Sequence, residues 1–248
     1  MAVKKIPVKK RCPAIFVTGT DTGVGKTLVA AALARHFSLQ GLKVGVMKPI
    51  ETGVKNPDEL GVDATLLRWA ARSTDANDLI SPYRFSRPVA PCQAATAAKE
   101  QIAGDKIVEA YHALRHDKDL VFIEGAGGLM VPIRGGYIMA DLARQLEVPL
   151  LIVTHPRLGT LNHTTLTTFA ARAMDLELCG FIVNQMPENP GEVEKETPHL
   201  LASLASADLL GVLPEVVGSE QEKVKTLADE IGKLPAYQWL LGGLGIQP

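Results

Sequence analysis

The feature that most constrains the fold is a regular alternation of short apolar runs with longer amphipathic segments. The apolar runs are three to five residues long and rich in β-branched side chains, which is typical of strands buried on both faces of a parallel sheet. These runs span residues 14–17, 44–47, 120–123, 149–153, 180–183 and 211–213. The helical patterns between them span residues 60–72, 138–146, 160–174 and 220–233, and an earlier one repeats Val29, Leu33 and Phe37. The alternation predicts a single-domain, doubly wound α/β fold, with a mostly parallel sheet and helices on both of its faces.

The length of 248 residues suits one such domain, which we expect to span residues 13–240. A basic N-terminal segment, residues 1–12, and a tail, residues 241–248, fall outside the pattern and are expected to be flexible. No apolar stretch approaches the roughly 18 residues of a transmembrane helix, and no apolar run follows the basic N-terminus, as it would in a signal peptide. We therefore expect a cytoplasmic protein with no membrane partner.

Charge and cysteine content exclude further classes. The formal net charge of −1 argues against a nucleic-acid partner, because such proteins carry a basic excess on one face. Cys12, Cys92 and Cys179 lie far apart with no CxxC pair. This spacing predicts neither a disulfide framework nor a cysteine-rich zinc site.

A glycine-rich loop follows the first apolar run and reads GTDTGVGKT from Gly19 to Thr27. It is a P-loop with one residue more before Gly-Lys-Thr than the common pattern. Glycines let backbone N–H groups turn toward phosphate oxygens, and the start of the following helix favours an anion. Lys26 would neutralise the β- and γ-phosphates and Thr27 would hold Mg²⁺. The alternative is a glycine-rich turn with an incidental lysine, but the order strand, loop, helix favours ATP or GTP binding.

Three charged residues follow at or near the ends of predicted strands. Lys48 ends the run 44–47 and would point into the ligand crevice, where it could stabilise charge on a transferred phosphoryl group. Glu124 ends the run 120–123 and precedes small residues, which is the Walker-B layout for an Mg²⁺ ligand. Asp63 opens a helical pattern, so a helix cap and a metal ligand explain it equally well. A solvated lysine and an incidental acid are the alternatives for Lys48 and Glu124.

Two further polar positions follow the last strands. Asn184 comes after the run 180–183, and its amide could satisfy both edges of adenine, although a turn explains it nearly as well. Pro214 and Glu215 come after the run 211–213.

Together these segments resemble the dethiobiotin synthetase family over nearly the whole chain. The resemblance is carried, in order, by VTGTDTGVGKT, MKPIETG, SPYRFSRPVAP, IEGAGGLMVPI, LGTLNHTTLT and FIVNQ. It implies a P-loop α/β enzyme that closes a cyclic urea. In that reaction 7,8-diaminononanoate and CO₂ form a carbamate, and ATP converts it to a carbamic–phosphoric anhydride. The second amine then displaces phosphate to give dethiobiotin, with ADP as the other product.

The resemblance also implies residue roles, a metal and an assembly. It implies catalysis by Lys26 and Lys48, an Mg²⁺ held by Thr27, Asp63 and Glu124, and a homodimer with active sites near the subunit interface. The implied diamine contacts are Thr22, Lys48, Thr52, Gly159 and Asn162, the last two in a loop that serves the neighbouring subunit's site. The implied ATP contacts are Thr22, Gly23, Val24, Gly25, Lys26, Thr27, Asn184, Pro214 and Glu215.

Two rival functions compete with this one. A ParA- or MinD-like nucleotide switch would carry a signature lysine near the start of the loop, where this chain has Asp21. A cobyrinate-type amidation enzyme would need a glutaminase domain, for which 248 residues leave no room.

Overall fold

The computed structural model of the protein describes residues 13–246, so the basic segment predicted at 1–12 and the last two residues lie outside the described residues. A six-stranded sheet forms the centre, in the order β10-β9-β8-β1-β5-β2, and every neighbouring pair in it is parallel. Two small two-stranded sheets, β3–β4 and β6–β7, lie outside it. The strands are β1 Ala14–Gly19, β2 Val44–Met47, β3 Ile50–Thr52, β4 Tyr83–Phe85, β5 Leu120–Gly128, β6 Pro132–Arg134, β7 Tyr137–Ile138, β8 Leu150–Thr154, β9 Leu178–Met186 and β10 Leu209–Pro214.

Helices cover both faces of this sheet, as the strand–helix alternation predicts. They are α1 Lys26–Leu39, α2 Val62–Ala71, α3 Asn77–Ile80, α4 Pro91–Ala98, α5 Gly104–Leu114, α6 Met139–Leu146, α7 Thr160–Ala173, α8 Glu192–Leu204, α9 Glu220–Ile231 and α10 Tyr237–Gly243. The six apolar runs all lie in the central sheet, which confirms the predicted fold class. The predicted helical patterns agree with α2, α6, α7 and α9 to within two residues at each end, and the repeat of Val29, Leu33 and Phe37 lies within α1. The short strands β3, β4, β6 and β7 have too few residues to show a period and were not predicted.

The core lies on both sides of β1, because successive side chains of a strand point to opposite faces. Ile15 and Val17 belong to the hydrophobic cluster that packs under α1, α2 and α9. Ala14 and Phe16 belong to the cluster on the other face, under α5 and α6. The strand is buried along its whole length, and it pairs with β5 on one side and β8 on the other.

The C-terminal boundary of the domain differs from the prediction. Residue 240 lies inside α10, and Leu241 and Leu244 are buried in the same cluster as Leu210 of β10. Because these apolar side chains pack on the sheet, the domain includes residues 241–246, and the boundary expected at residue 240 is corrected. No helix within residues 13–246 is long and apolar enough to cross a membrane.

Candidate active site

The phosphate loop joins the carboxyl end of β1 to the first residue of α1, where Lys26 begins the helix. Gly25 has φ +86°, a left-handed conformation that favours glycine, and a Cβ there would collide with the Asn184 amide. Lys26 is buried, and its Nζ donates a hydrogen bond to the Asp21 carbonyl at 2.9 Å. The loop is therefore closed on itself, with the lysine folded under its own backbone. Asp21, which stands in place of the switch lysine, is exposed.

A second buried lysine meets two acids beside this loop. Lys48 follows β2, and its Nζ lies 2.6 Å from Glu124 Oε1 and 2.8 Å from Asp63 Oδ2. The Thr27 hydroxyl donates to the same Glu124 oxygen at 2.8 Å. Lys48 is 5% exposed, so the alternative of a solvated strand-end lysine is wrong. Residues from four separate stretches of chain thus converge beside β2 and β5, which are neighbours in the sheet.

The protonation of this cluster follows from burial and pairing. Burial lowers the pKa of Lys48, but the charges of Glu124 and Asp63 raise it by more, so the net pKa is raised and the ammonium stays charged. Burial raises the pKa of Glu124, although the nearby Lys48 opposes that shift. Burial also lowers the pKa of Lys26, which has no carboxylate at ion-pair distance within the described part of the chain.

The oxygen atoms around Lys48 suit a hard divalent cation. Mg²⁺ prefers oxygen ligands and is usually held by one or two carboxylates together with substrate phosphates and water. Thr27, Asp63 and Glu124 supply a hydroxyl and two carboxylates, and Glu124 Oε2 is buried with no hydrogen-bond partner in residues 13–246. Residues 13–246 contain no group of three or more His, Cys, Asp or Glu side chains that could hold a metal ion. The donor set therefore fits Mg²⁺ that is completed by a phosphate ligand.

Asp63 is free to face Lys48 because another residue caps its helix. The Glu51 carboxylate accepts hydrogen bonds from the backbone N–H groups of Asp63, at 2.8 Å, and Ala64, at 3.3 Å. Gly61 precedes α2, and a Cβ there would occupy the space of the Glu51 carboxylate. The alternative of Asp63 as the helix cap is therefore wrong. Sequence reasoning missed the role of Glu51, since nothing local indicates that a residue 12 positions earlier caps this helix.

Asn184 touches the phosphate loop directly. Its Nδ2 donates to the Val24 carbonyl at 3.0 Å, and the next residue, Gln185, donates through Nε2 to the Gly23 carbonyl at 3.0 Å. Both Asn184 and Val24 are fully buried. The structure thus shows Asn184 as a brace for the loop, and its predicted contact with the nucleobase stays a prediction. Gln185 was not predicted, although it lies within the FIVNQ segment.

Most of the residues predicted to contact phosphate or metal line one cavity of about 380 Å³. Those in its lining are Thr22, Gly23, Gly25, Lys26, Thr27, Lys48, Asp63 and Glu124. Gln185 and Glu220 also line it and were not predicted. Val24 is buried beneath the loop, Thr52 is half-buried on β3, and neither lines the cavity. Pro214 lies beside Met186 at the ends of β10 and β9, and Glu215 is exposed, so these two also lie outside it.

The remaining predicted residues lie at the start of α7, next to the phosphate loop. Gly159, with φ +92°, precedes the helix, and Asn162 is exposed in its first turn. The Thr154 hydroxyl contacts those of Thr160, at 2.6 Å, and Thr20, at 3.1 Å. This hydroxyl chain connects α7 to the loop through the end of β8.

The fold and this site define a P-loop nucleotide-binding protein, and comparison with known proteins agrees. A family model described as an AAA domain matches residues 13–223. The MinD protein of Pyrococcus horikoshii, solved with Mg-ADP, superposes with a TM-score of 0.58 at 17% identity over 94% of each chain. The McdA protein of Cyanothece gives a TM-score of 0.59 at 12% identity, over 97% of this chain and 99% of that one. These two likenesses show the fold alone.

More specific relatives cover almost the same length. The ATP-dependent dethiobiotin synthetase of Thermodesulfovibrio yellowstonii is 38% identical over 219 residues, 84% of this chain and 91% of the relative. That of Bacillus subtilis is 34% identical over 211 residues, 84% and 90%. That of Bacillus cereus is 38% identical over 228 residues, 90% and 93%. The chain belongs to the ATP-dependent dethiobiotin synthetase family.

Proposed function

We propose that the protein closes 7,8-diaminononanoate and CO₂ into the cyclic urea dethiobiotin, with ATP converted to ADP and phosphate. The observation that carries the proposal is the second buried lysine, Lys48, held by two acids beside the phosphate loop. A reaction between the anionic carbamate and ATP needs more positive charge than a phosphate loop alone provides. The family membership supplies the substrates.

The reaction divides into three balanced steps. One amine of the substrate attacks CO₂, forming a C–N bond and a carbamate, and releases a proton. A carbamate oxygen then attacks the γ-phosphorus, and the bond to the ADP oxygen breaks. The second amine attacks the carbamate carbon, phosphate leaves, the attacking nitrogen releases a proton, and the ring closes. The last step needs little covalent help, because an amine on the same molecule is already at high effective concentration.

The phosphate loop would hold ATP through Thr22, Gly23, Val24, Gly25, Lys26 and Thr27. In support, Lys26 lies folded within the loop, and its lowered pKa shows that burial disfavours the isolated charge. A triphosphate in the loop would supply the compensating negative charge. Asn184, Pro214 and Glu215 are the proposed contacts to the rest of the nucleotide, and Asn184 is the one that touches the loop.

Mg²⁺ is the proposed metal, and Thr27, Asp63 and Glu124 would hold it with the phosphates. When bound, it neutralises charge on the phosphate oxygens and orients them. Lys48 lies between both carboxylates, 2.6 Å from Glu124 Oε1 and 2.8 Å from Asp63 Oδ2. From that position Lys48 can also reach toward the transferred phosphoryl group.

The diamine and its carbamate would contact Thr22, Lys48, Thr52, Gly159 and Asn162. Thr22 and Lys48 line the same cavity as the phosphate loop. The last two residues begin α7, where backbone N–H groups without helical partners suit a carboxylate.

A homodimer is part of the proposal, with the α7 loop serving the neighbouring subunit. Leu158, Leu166 and Phe169 are 93%, 57% and 68% exposed, and Leu166 and Phe169 share a helix face with Asn162. Such an apolar surface is typical of a subunit interface. At diamine concentrations too low for the Asn162→Ala chain alone to work, mixing it with a Lys26→Ala chain should then raise activity, since one of the two hybrid sites is intact. Absence of rescue after verified subunit exchange would contradict shared sites. The cytoplasmic location expected from the sequence also stays a prediction.

The decisive experiment measures phosphate release from ATP with Mg²⁺ and bicarbonate, with and without 7,8-diaminononanoate, and identifies the product by mass. Release that depends on the diamine, with a cyclic urea as product, is the expected result. Hydrolysis indifferent to the diamine would instead indicate a P-loop ATPase that acts on another substrate or partner, such as a nucleotide switch.

A further inference from the structure

A second cavity, separate from the one at the phosphate loop, opens between α1, α2 and α9. Its volume is about 700 Å³, and Arg35, Arg68, Trp69, Arg72 and Lys225 line it. It shares no lining residue with the phosphate-loop cavity. Arg35 lies nine residues beyond Lys26 in α1, roughly 13 Å along the helix axis. The two cavities are therefore distinct places on the same helices.

The second cavity is lined by positively charged side chains that form no ion pairs within residues 13–246. It is lined by three arginines and one lysine, and the rest of its lining is uncharged. None of these four cations makes an ion pair with a carboxylate among residues 13–246. Arg68 donates only to neutral oxygens, Nη1 to Asn77 Oδ1 at 2.9 Å and Nε to the Ser73 carbonyl at 3.5 Å. The nearby acid Glu222 is bound to Ser219 as the cap of α9.

The arrangement around Trp69 narrows the chemistry of a ligand. Arg35 Cζ lies 4.7 Å, and Lys225 Nζ 6.0 Å, from the centroid of the Trp69 ring. Cations therefore cover the ring where a nucleobase would stack. Guanidinium groups match phosphate oxygens in a bidentate fork, so several converging arginines favour a ligand with several phosphates. The positive charge is confined to one depression of a chain with net charge −1, which favours a compact anion over an extended polymer.

We propose that the cavity between α1, α2 and α9 is a second anion site that binds a short chain of linked phosphates. The inference goes beyond the proposed function, because it involves neither the phosphate loop nor the diamine. The linked phosphates could be inorganic or belong to a nucleotide. The inorganic form is favoured, because Arg35 and Lys225 cover the Trp69 ring on which a nucleobase would stack.

The test uses Trp69 as its own reporter. The chain has two tryptophans, and Trp239 is exposed, so Trp239→Phe leaves Trp69 as the single one. The phosphate loop is first saturated with a non-hydrolysable ATP analogue, with magnesium in excess throughout. Inorganic tripolyphosphate is then titrated, and Trp69 fluorescence and heat are both recorded. We expect a saturable signal at one equivalent per chain, because the anion would draw Arg35 and Lys225 from the ring.

Charge-removal variants separate this site from general attraction. Arg72→Gln, and independently Lys225→Gln, should weaken the second binding event by at least about tenfold, since each removes charge-assisted hydrogen bonds. Both side chains are exposed, so the fold should survive. Lys195→Gln is the matched control, because it removes one exposed charge from α8 on the other face of the sheet, and it should leave the affinity unchanged within about twofold.

Each outcome decides the proposal. A second equivalent of the ATP analogue itself, lost in Arg72→Gln, would assign the phosphate chain to a nucleotide. Binding of tripolyphosphate without binding of a second equivalent of the ATP analogue would show that the ligand is an inorganic phosphate chain. Absence of any saturable second event, or equal weakening by Arg72→Gln and Lys195→Gln, would overturn the proposal. Because no diamine is present, these results are independent of the proposed catalytic function.

Discussion

Replacing Asn184 with alanine separates two roles for this residue, a brace for the phosphate loop and a reader of the nucleobase. The substitution removes the donor to the Val24 carbonyl, which lies in a fully buried residue, and leaves that acceptor unpaired. A buried acceptor without a partner costs about 1–3 kcal/mol. In a chain of 248 residues, each kcal/mol lowers Tm by roughly 2–4 °C, so Tm should fall by several degrees without any nucleotide.

The same free energy should appear in binding. If the variant loop is loose until a ligand orders it, about 1–3 kcal/mol weakens affinity roughly 5- to 150-fold. That loss should be equal for ATP, GTP and inorganic tripolyphosphate, because all three use the loop backbone. The assays are urea unfolding of the nucleotide-free protein and calorimetric titration with the three ligands. Asn162→Ala is the stability control, since it removes an exposed asparagine and should change unfolding by no more than about 0.5 kcal/mol.

A specific pattern would refute this reasoning. Unchanged stability of Asn184→Ala, together with a loss of affinity confined to ATP, would show that the amide acts on the base and not on the loop.

Three further predictions concern the cavity at the phosphate loop and the start of α7. Lys26→Ala should abolish turnover, because the charge of the transferred phosphate would be uncompensated; near-normal kcat would remove the loop from the reaction. Glu124→Gln keeps the size of the side chain but loses one negative charge, so the magnesium needed for half-maximal activity should rise; an unchanged magnesium titration would exclude a metal role. Asn162→Ala should raise KM for the diamine more than KM for ATP, as loss of a carboxylate contact would; equal changes in both would favour a structural role.

The sequence was sufficient to predict the six-stranded sheet and to select residues that line one cavity, Lys26, Lys48, Asp63 and Glu124 among them. A parallel strand buried on both faces has a strong hydrophobic signal, and its carboxyl end marks where ligands bind. Lys48 follows β2 and Glu124 follows the apolar run within β5, and the two side chains meet at 2.6 Å because these strands are neighbours.

What the sequence could not predict depends on contacts between distant segments. Glu51 caps α2 from a different segment of the chain, by accepting hydrogen bonds from two backbone N–H groups of the helix. No local sequence pattern encodes this contact. The brace from Asn184 to Val24 spans 160 residues. The C-terminal residues looked like a loose tail because their glycines interrupt the apolar pattern, yet Leu241 and Leu244 pack on the sheet.

The order of strands in the sheet has a consequence for how the protein is made. Within the described residues, the first two strands of the central sheet, β1 and β2, do not pair with each other, and each waits for β5, more than 70 residues beyond β2. The phosphate loop also contacts Thr154 through the Thr20 hydroxyl. Asn184, which donates a hydrogen bond to the loop at Val24, is translated later still. Pairings this distant in sequence form slowly. A chain still emerging from the ribosome should therefore gain nucleotide affinity only after β9 is available, and its first two hydrophobic strands stay without a partner until β5 has been made.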